Sequence, residues 1–380
     1  MNETIIINDE NSLLQLKELA IKNNWKKLFF VTGKKSFEST GAKKKILSQF
    51  TMDHVVFFND FEVNPKLNDV YKGVDIFSAS KADVIVSIGG GTAIDMAKLI
   101  NSLSCVDGSL EDYATGKLKI DSVAVPHVAV PTTSGSGSEA THFAVVYVNG
   151  SKYSMASNLL LPPYVILDPN LTLSLPPYIT AYTAMDALCQ AMESYWSVGS
   201  TEESSKYSIK AIKLVLANIK GAVNSPNINN RKALQEAGNL GGKAINLTKT
   251  TAAHAMSYYL TSEFNIPHGH SAGLMFGWVF SQNSKVTDST CNDPRGRSFV
   301  LSRLKELMGF FNVSEFKDFP SVFYKLMEEI GLKVDAVNLD QNTVGCLFKS
   351  VNIERLGNNP VQVDLTDING FIDFYKQKFE

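Results

Sequence analysis

The chain has 380 residues, long for one compact domain and enough for two, each with its own core. Hydrophobic residues make up 44% of it and charged residues 19%, which excludes disordered and fibrous classes. With 36 basic and 38 acidic side chains the formal net charge is −2, so nothing in the overall balance points to nucleic acid or an anionic membrane, and the expected partner is a small molecule. Four scattered cysteines, Cys105, Cys189, Cys291 and Cys346, form no C-x-x-C pair and read as reduced thiols. Acidic residues stand near the start where a secretory leader needs positive charge, and no apolar run reaches the roughly 18 to 20 residues of a membrane helix. The expectation is a soluble, cytoplasmic protein.

In chain order, β-branched and aromatic runs at 27–32, 54–59, 84–88 and 128–131 alternate with helical patterns, as βαβ units of a parallel sheet do. Runs at 143–148 and 153–156 flank Asn149-Gly150, the dipeptide of a tight hairpin. The proline-punctuated stretch 161–177, with Asp168-Pro169 inside it, reads as a boundary rather than an element interior, which divides the chain into domains 1–175 and 176–380. Beyond it Ala184, Ala187, Leu188, Ala191, Met192 and Tyr195 follow helical spacing, and similar patterns recur at 206–222, 231–245, 297–311 and 321–330. The predicted fold is an α/β N-terminal domain with a parallel sheet and an all-α C-terminal domain.

The run from Val84 to Lys98 passes from a buried strand through Gly89, Gly90 and Gly91 into an amphipathic helix. Glycines admit a ligand to the backbone, and the helix N-terminus attracts an anion, so this is a geometry for phosphate; Thr92 is placed to cap the helix or to donate to that phosphate. A tight turn without a ligand is the alternative. Pro131-Thr-Thr-Ser-Gly-Ser-Gly-Ser-Glu139 follows another strand, and two such loops at the carboxyl ends of strands mark a ligand crevice. The segment 134–138 taken alone also has the composition of a flexible linker.

Asp186 and Gln190 lie one helical turn apart, with Glu193 on the same stripe, opposite the apolar one. Such a stripe is either a solvated face or a set of ligands. Three of the six histidines, His254, His268 and His270, fall close together in the helix-turn segment 251–274. Carboxylate plus imidazole suits Fe²⁺ or Zn²⁺ with one position open for substrate.

Gly89-Gly-Gly-Thr-Ala-Ile-Asp95, the 131–139 loop, Met185-Asp-Ala-Leu-Cys-Gln-Ala-Met-Glu193, and His254 with Ile266-Pro-His-Gly269 occur in the order found in iron-containing alcohol dehydrogenases. The chain resembles that family from about residue 28 to 280. The resemblance implies a dinucleotide-binding domain, a helical domain and an active site in the cleft between them, an architecture shared with dehydroquinate synthase. It implies that Gly89, Gly90, Gly91 and the turn through Asp95 hold the pyrophosphate, and that Thr132, Thr133 and Ser138, with Ser136 in the same loop, line the nicotinamide side. Asp186, His254 and His268 correspond to metal ligands. Gln190 stands where the family usually has a fourth, histidine ligand, and an amide oxygen is a harder and weaker one. Tyr258 also replaces a histidine common in relatives. His270, small and apolar in many relatives, reads as a substitute ligand, a proton carrier, or a helix-end histidine meeting solvent or a carbonyl.

After the strand at 28–32, Gly33-Lys34-Lys35-Ser36 lacks the aspartate that NAD-preferring relatives carry, which favours NADPH over NADH. The implied reaction is hydride transfer between nicotinamide and a carbonyl carbon, with a divalent metal polarising the carbonyl oxygen. The details around 185–190, 249–254, 293–296 and 354–360 look closest to the phosphonoacetaldehyde reductase branch, whose substrate would need a cation such as Lys249, Arg295 or Arg355. Alternatives are a general short-chain alcohol dehydrogenase, a dehydroquinate-synthase-like cyclase, and a non-catalytic nucleotide sensor. A homodimer is the default assembly.

Overall fold

The structure, a computed structural model describing residues 4–379 apart from the side chains of residues 354, 355, 378 and 379, divides into two compact units. The first runs through Leu175 and includes Asn227–Gln235; the second comprises Pro176–Pro226 and the chain from Glu236 onward.

In the first unit β1 (Ile5–Asn8), β2 (Leu28–Thr32), β3 (Val55–Phe58), β4 (Val84–Gly89), β5 (His127–Pro131) and β8 (Tyr164–Leu167) form one sheet in the order β1-β8-β5-β4-β2-β3. Every pairing is parallel. A parallel sheet buries both faces, so its strands must be apolar on both sides rather than alternating with polar residues. Leu28-Phe-Phe-Val-Thr32 meets that demand: Phe29 and Val31 pack with Phe58, Met96 and Ile100, while Leu28 and Phe30 enter the opposite core with Val84, Val86 and Val128. From β2 the chain goes out to β3 and returns to β4 on the other side of β2. The carboxyl ends of β2 and β4 therefore flank the switch point, where open α/β sheets hold ligands.

β6 (Phe143–Val148) and β7 (Ser151–Ala156) form the antiparallel hairpin expected from Asn149-Gly150, with both turn residues left-handed at φ 50° and 81°. The stretch 161–177 departs from expectation, because it contains β8, a strand of the main sheet, and its last proline opens a helix. The prolines misled because they flank β8: the Pro163 carbonyl accepts from Ile5 N at 2.9 Å, and Asp168 follows the last paired residue. The buried Asp168 carboxylate then accepts from Asn11 N, Leu13 N and Lys45 Nζ, anchoring the edge of the sheet. β1 also has no counterpart among the predicted strands.

His127 is buried on β5 with Nε2 2.8 Å from Ser87 Oγ on β4. Burial, assisted by the charge of Lys98, lowers its pKa to about 3. The imidazole is neutral in the fold, whereas in the unfolded chain it takes a proton near its ordinary value of about 6.5. Its contribution to stability is therefore complete above that value and is lost as pH falls from there toward 3, by roughly 1.4 kcal/mol per pH unit. His127→Gln is expected to flatten the unfolding free energy measured between pH 6.5 and 4; an unaltered slope would assign the acid sensitivity to other groups.

The second unit is helical, with Pro177–Trp196, Glu202–Asn224, Ala252–Phe264, His268–Ser284, Arg297–Phe310 and Phe319–Glu329 among its helices. Thr201 and Ser204 close a capping box at the start of Glu202–Asn224. Trp196, Phe276, Phe280, Phe319 and Phe323 stack into the core. Asn265, left-handed at φ 53°, ends one helix just before Pro267 caps the next, so the turn within 251–274 separates two helices. Among the described residues no helix is long and apolar enough to cross a membrane, and all four cysteines carry free thiols.

Candidate active site

In the first unit the ends of β2, β4 and β5 converge. Gly33 N donates to the Ile88 carbonyl at 3.1 Å, and Thr132 N to the Gly89 carbonyl at 2.9 Å. Helix Gly91–Leu103 begins immediately after the glycine turn, so its first amides open onto this point. A Cβ on Gly90 would stand 3.4 Å from Thr133 Oγ1, and one on Gly91 2.7 Å from Ser136 Oγ. The glycines thus let the two predicted loops touch. The hydroxyls of Thr32 and Thr132 are buried without a hydrogen-bond partner, which is costly unless a ligand supplies one. Glycine cradle, helix amides and waiting hydroxyls fit a dinucleotide.

Several of the predicted residues behave differently. Gly90, not Thr92, is the helix cap, and it supplies no side-chain bond. Ser138 donates its hydroxyl to Asp95, which also accepts from Val145 N at 3.1 Å, so this pair fastens the second loop to the helix. Desolvation raises the Asp95 pKa, with Lys98 and these hydrogen bonds opposing it. Lys34 is exposed and lies 3.7 Å from Asp60, while Ser36 opens the short helix Ser36–Ser39.

In the second unit the polar stripe of Pro177–Trp196 is buried, not solvated: Asp186 is 6% exposed, Gln190 4% and Glu193 0%. His254 Nε2 lies 3.2 Å from Asp186 Oδ1, and the ligand atoms of Asp186, His254 and His268 all fall within 4.8 Å of one another. Glu193 explains the arrangement. One carboxylate oxygen accepts from Thr251 N, Thr251 Oγ1, Ala253 N and His254 N at 2.7 to 3.3 Å; the other accepts from His254 Nδ1. A single anion therefore starts helix Ala252–Phe264 and turns the imidazole so that Nε2 faces Asp186. Burial alone would lower the His254 pKa, but the Glu193 and Asp186 carboxylates outweigh it and raise it to about 9. Burial raises Asp186, but His254, His268 and a hydrogen bond from Gln190 bring it below its ordinary value.

His268 opens its helix beside Gly269, where a Cβ would overlap the Tyr182 carbonyl oxygen and stand 2.6 Å from Asp186 Cβ. Only glycine lets this turn come so close to the Asp186 helix. The Tyr258 ring lies parallel to His268 with centroids 5.3 Å apart and planes 4° apart, and Ser257 Oγ is 3.4 Å from His268 Nδ1. Gln190 contacts the Asp186 carboxylate through its amide, and its carbonyl oxygen would be 3.8 Å from a Cβ on Gly241.

His270 is not part of the cluster. Its Nε2 donates to the Lys333 carbonyl at 2.7 Å, its Nδ1 is 3.3 Å from Tyr178 OH, and burial lowers its pKa, so it is a neutral, structurally engaged histidine. Lys249 precedes the His254 helix: it is exposed and left-handed at φ 63°, in a loop held by Asn358 Nδ2 bonds to the Thr248 and Thr250 carbonyls. Arg295 is withdrawn from ligand binding, because its guanidinium pairs with Asp293 and donates to the carbonyls of Ser197, Val198 and Ser200. The Arg355 side chain lies outside the described residues.

A parallel-sheet unit with a phosphate-type turn and a helical unit bearing an aspartate and two histidines are the parts that a nicotinamide- and metal-dependent dehydrogenase requires. Residues 3–169 match the family model of iron-containing alcohol dehydrogenase, and residues 180–367 match that of the Fe-containing alcohol dehydrogenase family, C-terminal. The chain belongs to the iron-containing alcohol dehydrogenase family and is an oxidoreductase. It is 34% identical to phosphonoacetaldehyde reductase of Streptomyces viridochromogenes, over 75% of this chain and 74% of that protein. It is also 34% identical to long-chain-alcohol dehydrogenase 1 of Geobacillus thermodenitrificans, over 65% of each, just under two thirds of that relative's length. The crystal structure of sulfoacetaldehyde reductase from Bifidobacterium kashiwanohense in complex with NAD⁺ superposes with TM-score 0.87 at 29% identity, covering 99% of this chain and 97% of that one.

Proposed function

We propose that the protein reduces a small aldehyde to a primary alcohol with a nicotinamide cofactor and a divalent metal, iron or zinc. The observation that carries this reading is the Asp186, His254 and His268 cluster braced by Glu193. Asp186, His254 and His268 would hold the metal, with Gln190 as a further candidate beside them; Gly33, Gly89 to Gly91, Thr132, Thr133 and Ser136 would hold the dinucleotide. When bound, the metal supplies Lewis-acid polarisation of a carbonyl oxygen and the nicotinamide supplies hydride. The chain's own contribution is orientation: Glu193 fixes the His254 ring, and Tyr258 supports the His268 ring from one face.

The finer reading is phosphonoacetaldehyde reduced to 2-hydroxyethylphosphonate. It is supported by the likeness to a phosphonoacetaldehyde reductase and a sulfoacetaldehyde reductase, whose named substrates are two-carbon aldehydes carrying a tetrahedral anion. With Arg295 committed elsewhere, Lys249, exposed in the loop before the His254 helix, is the candidate cation for such an anion. Lys34 and Ser36 favour the 2′-phosphate of NADPH, whereas Asp60 beside Lys34 favours NADH.

The test is oxidation of NADH and NADPH by metal-reconstituted protein, with phosphonoacetaldehyde against propionaldehyde. We expect turnover that disappears in Asp186→Asn, and a Lys249→Ala variant that raises KM for the phosphonate but not for propionaldehyde. Preference for propionaldehyde would remove the phosphonate assignment, and no net cofactor oxidation with either would remove the reductase assignment.

A further inference from the structure

Helix Gly91–Leu103 carries, about two turns from its N-terminal end, a lysine that neither the glycine turn nor the metal cluster accounts for. Lys98 is 1% exposed. Its ammonium donates to the carbonyls of Ser138, Thr141 and Phe143 at 2.7, 2.8 and 2.7 Å, and lies 3.4 Å from Ser138 Oγ and 3.2 Å from Thr141 Oγ1. An ammonium has three protons, so the three carbonyls use its donor capacity. Asp95, three residues earlier on the same helix, and Glu139 supply the countercharge, while His127 on β5 is neutral. Burial lowers the Lys98 pKa to about 8 against the opposing pull of those two carboxylates.

Burying a cation this fully is expensive, and an apolar side chain of the same length would fill the space without that cost. What an apolar chain cannot do is gather three carbonyls from 138–143, the short turn that leaves the second loop and enters the β6–β7 hairpin. Asp95 acts on the same segment from the neighbouring turn, through Ser138 and Val145 N. The part of the loop just upstream, 132–136, is the part that meets Gly90 and Gly91 through Thr133 and Ser136. One helix thus opens its first amides at the glycine turn and, through Lys98, is tied to the segment that follows the facing loop.

We propose that Lys98 is a positioning residue for the cofactor: by tying the Ser138, Thr141 and Phe143 carbonyls to the phosphate-binding helix, it holds the 132–136 loop in the conformation that the nicotinamide dinucleotide binds. The inference rests on the reading of this crevice as the cofactor site, and the experiment separates the two.

The dissociation constants of NADH and NADPH are measured by protein-fluorescence titration of the metal-loaded protein, alongside metal content and kcat at saturating cofactor. In Lys98→Met we expect affinity for the preferred cofactor to fall about tenfold or more, with metal content unchanged and kcat within about threefold. Lys98→Gln, neutral and able to supply at most two of the three donors, should fall about two- to fivefold or more and carries the test if Lys98→Met does not fold. Gly91→Val, whose Cβ enters the space of Ser136 Oγ, probes the crevice itself and should also lose affinity. Loss in Gly91→Val with wild-type affinity in the Lys98 variants overturns the role of Lys98. Wild-type affinity in all three overturns the cofactor site and the inference together; a Lys98→Met loss confined to kcat or metal content overturns the inference alone.

Discussion

Glu193→Gln should weaken metal retention about 10- to 100-fold, the range seen when the partner of a ligating imidazole is removed. The amide keeps the size of the carboxylate but loses its charge, and its NH₂ group can no longer accept from His254 Nδ1 while the oxygen accepts from the Thr251, Ala253 and His254 amides. One of these donors is left buried and unsatisfied, at a cost of about 1–3 kcal/mol in folding. Glu193→Ala strands all of them and is expected to unfold the start of helix Ala252–Phe264. Metal content after dialysis against a weak chelator, with urea unfolding of the same samples, checks both effects. A Glu193→Gln protein that keeps its metal and its stability would mean that the His254 ring is held by packing alone.

Gly269→Ala should be the most damaging single methyl in the helical unit. The new Cβ would overlap the Tyr182 carbonyl oxygen and meet Asp186 Cβ, both on helix Pro177–Trp196, so the turn bearing His268 must move away. Overpacking of this kind costs about 1–3 kcal/mol, and here the same movement separates His268 from Asp186. Gly309→Ala is the matched control, because nothing lies within 4 Å of a Cβ there and alanine is the better helix former. Cobalt(II) substitution reports on the ligand set through its visible absorption. The expected pair of results is a lost or altered spectrum with a lowered melting temperature for Gly269→Ala, and neither change for Gly309→Ala. Equal behaviour of the two variants would show that the contact relaxes without disturbing the ligands.

The parallel sheet was legible because burial on both faces demands uninterrupted apolar strands, and the hairpin because Asn149-Gly150 supplies two left-handed residues at the turn. β8 was hidden because only four residues are paired and prolines stand on either side of it, a pattern that in most loops marks a boundary. In the site, helical spacing brought Asp186, Gln190 and Glu193 onto one stripe but could not say which side of the helix was covered, since that depends on helices 60 or so residues away. The role of Glu193 was missed for that reason, although a glutamate amid an alanine- and methionine-rich helix was a signal. Lys98 was missed because a lysine in the middle of a helix ordinarily reads as surface. Arg295, Lys249 and His270 were attractive for their charge alone, and their partners or backbone could be known only from the folded chain.

The bond between Glu193 and His254 joins residues 61 positions apart. Closing such a loop costs chain entropy before any contact repays it. The imidazole is therefore oriented only after helix Pro177–Trp196 has met the start of helix Ala252–Phe264. Newly made chain thus has no preformed ion trap, and a metal would meet its full set of ligands only once these two helices have docked.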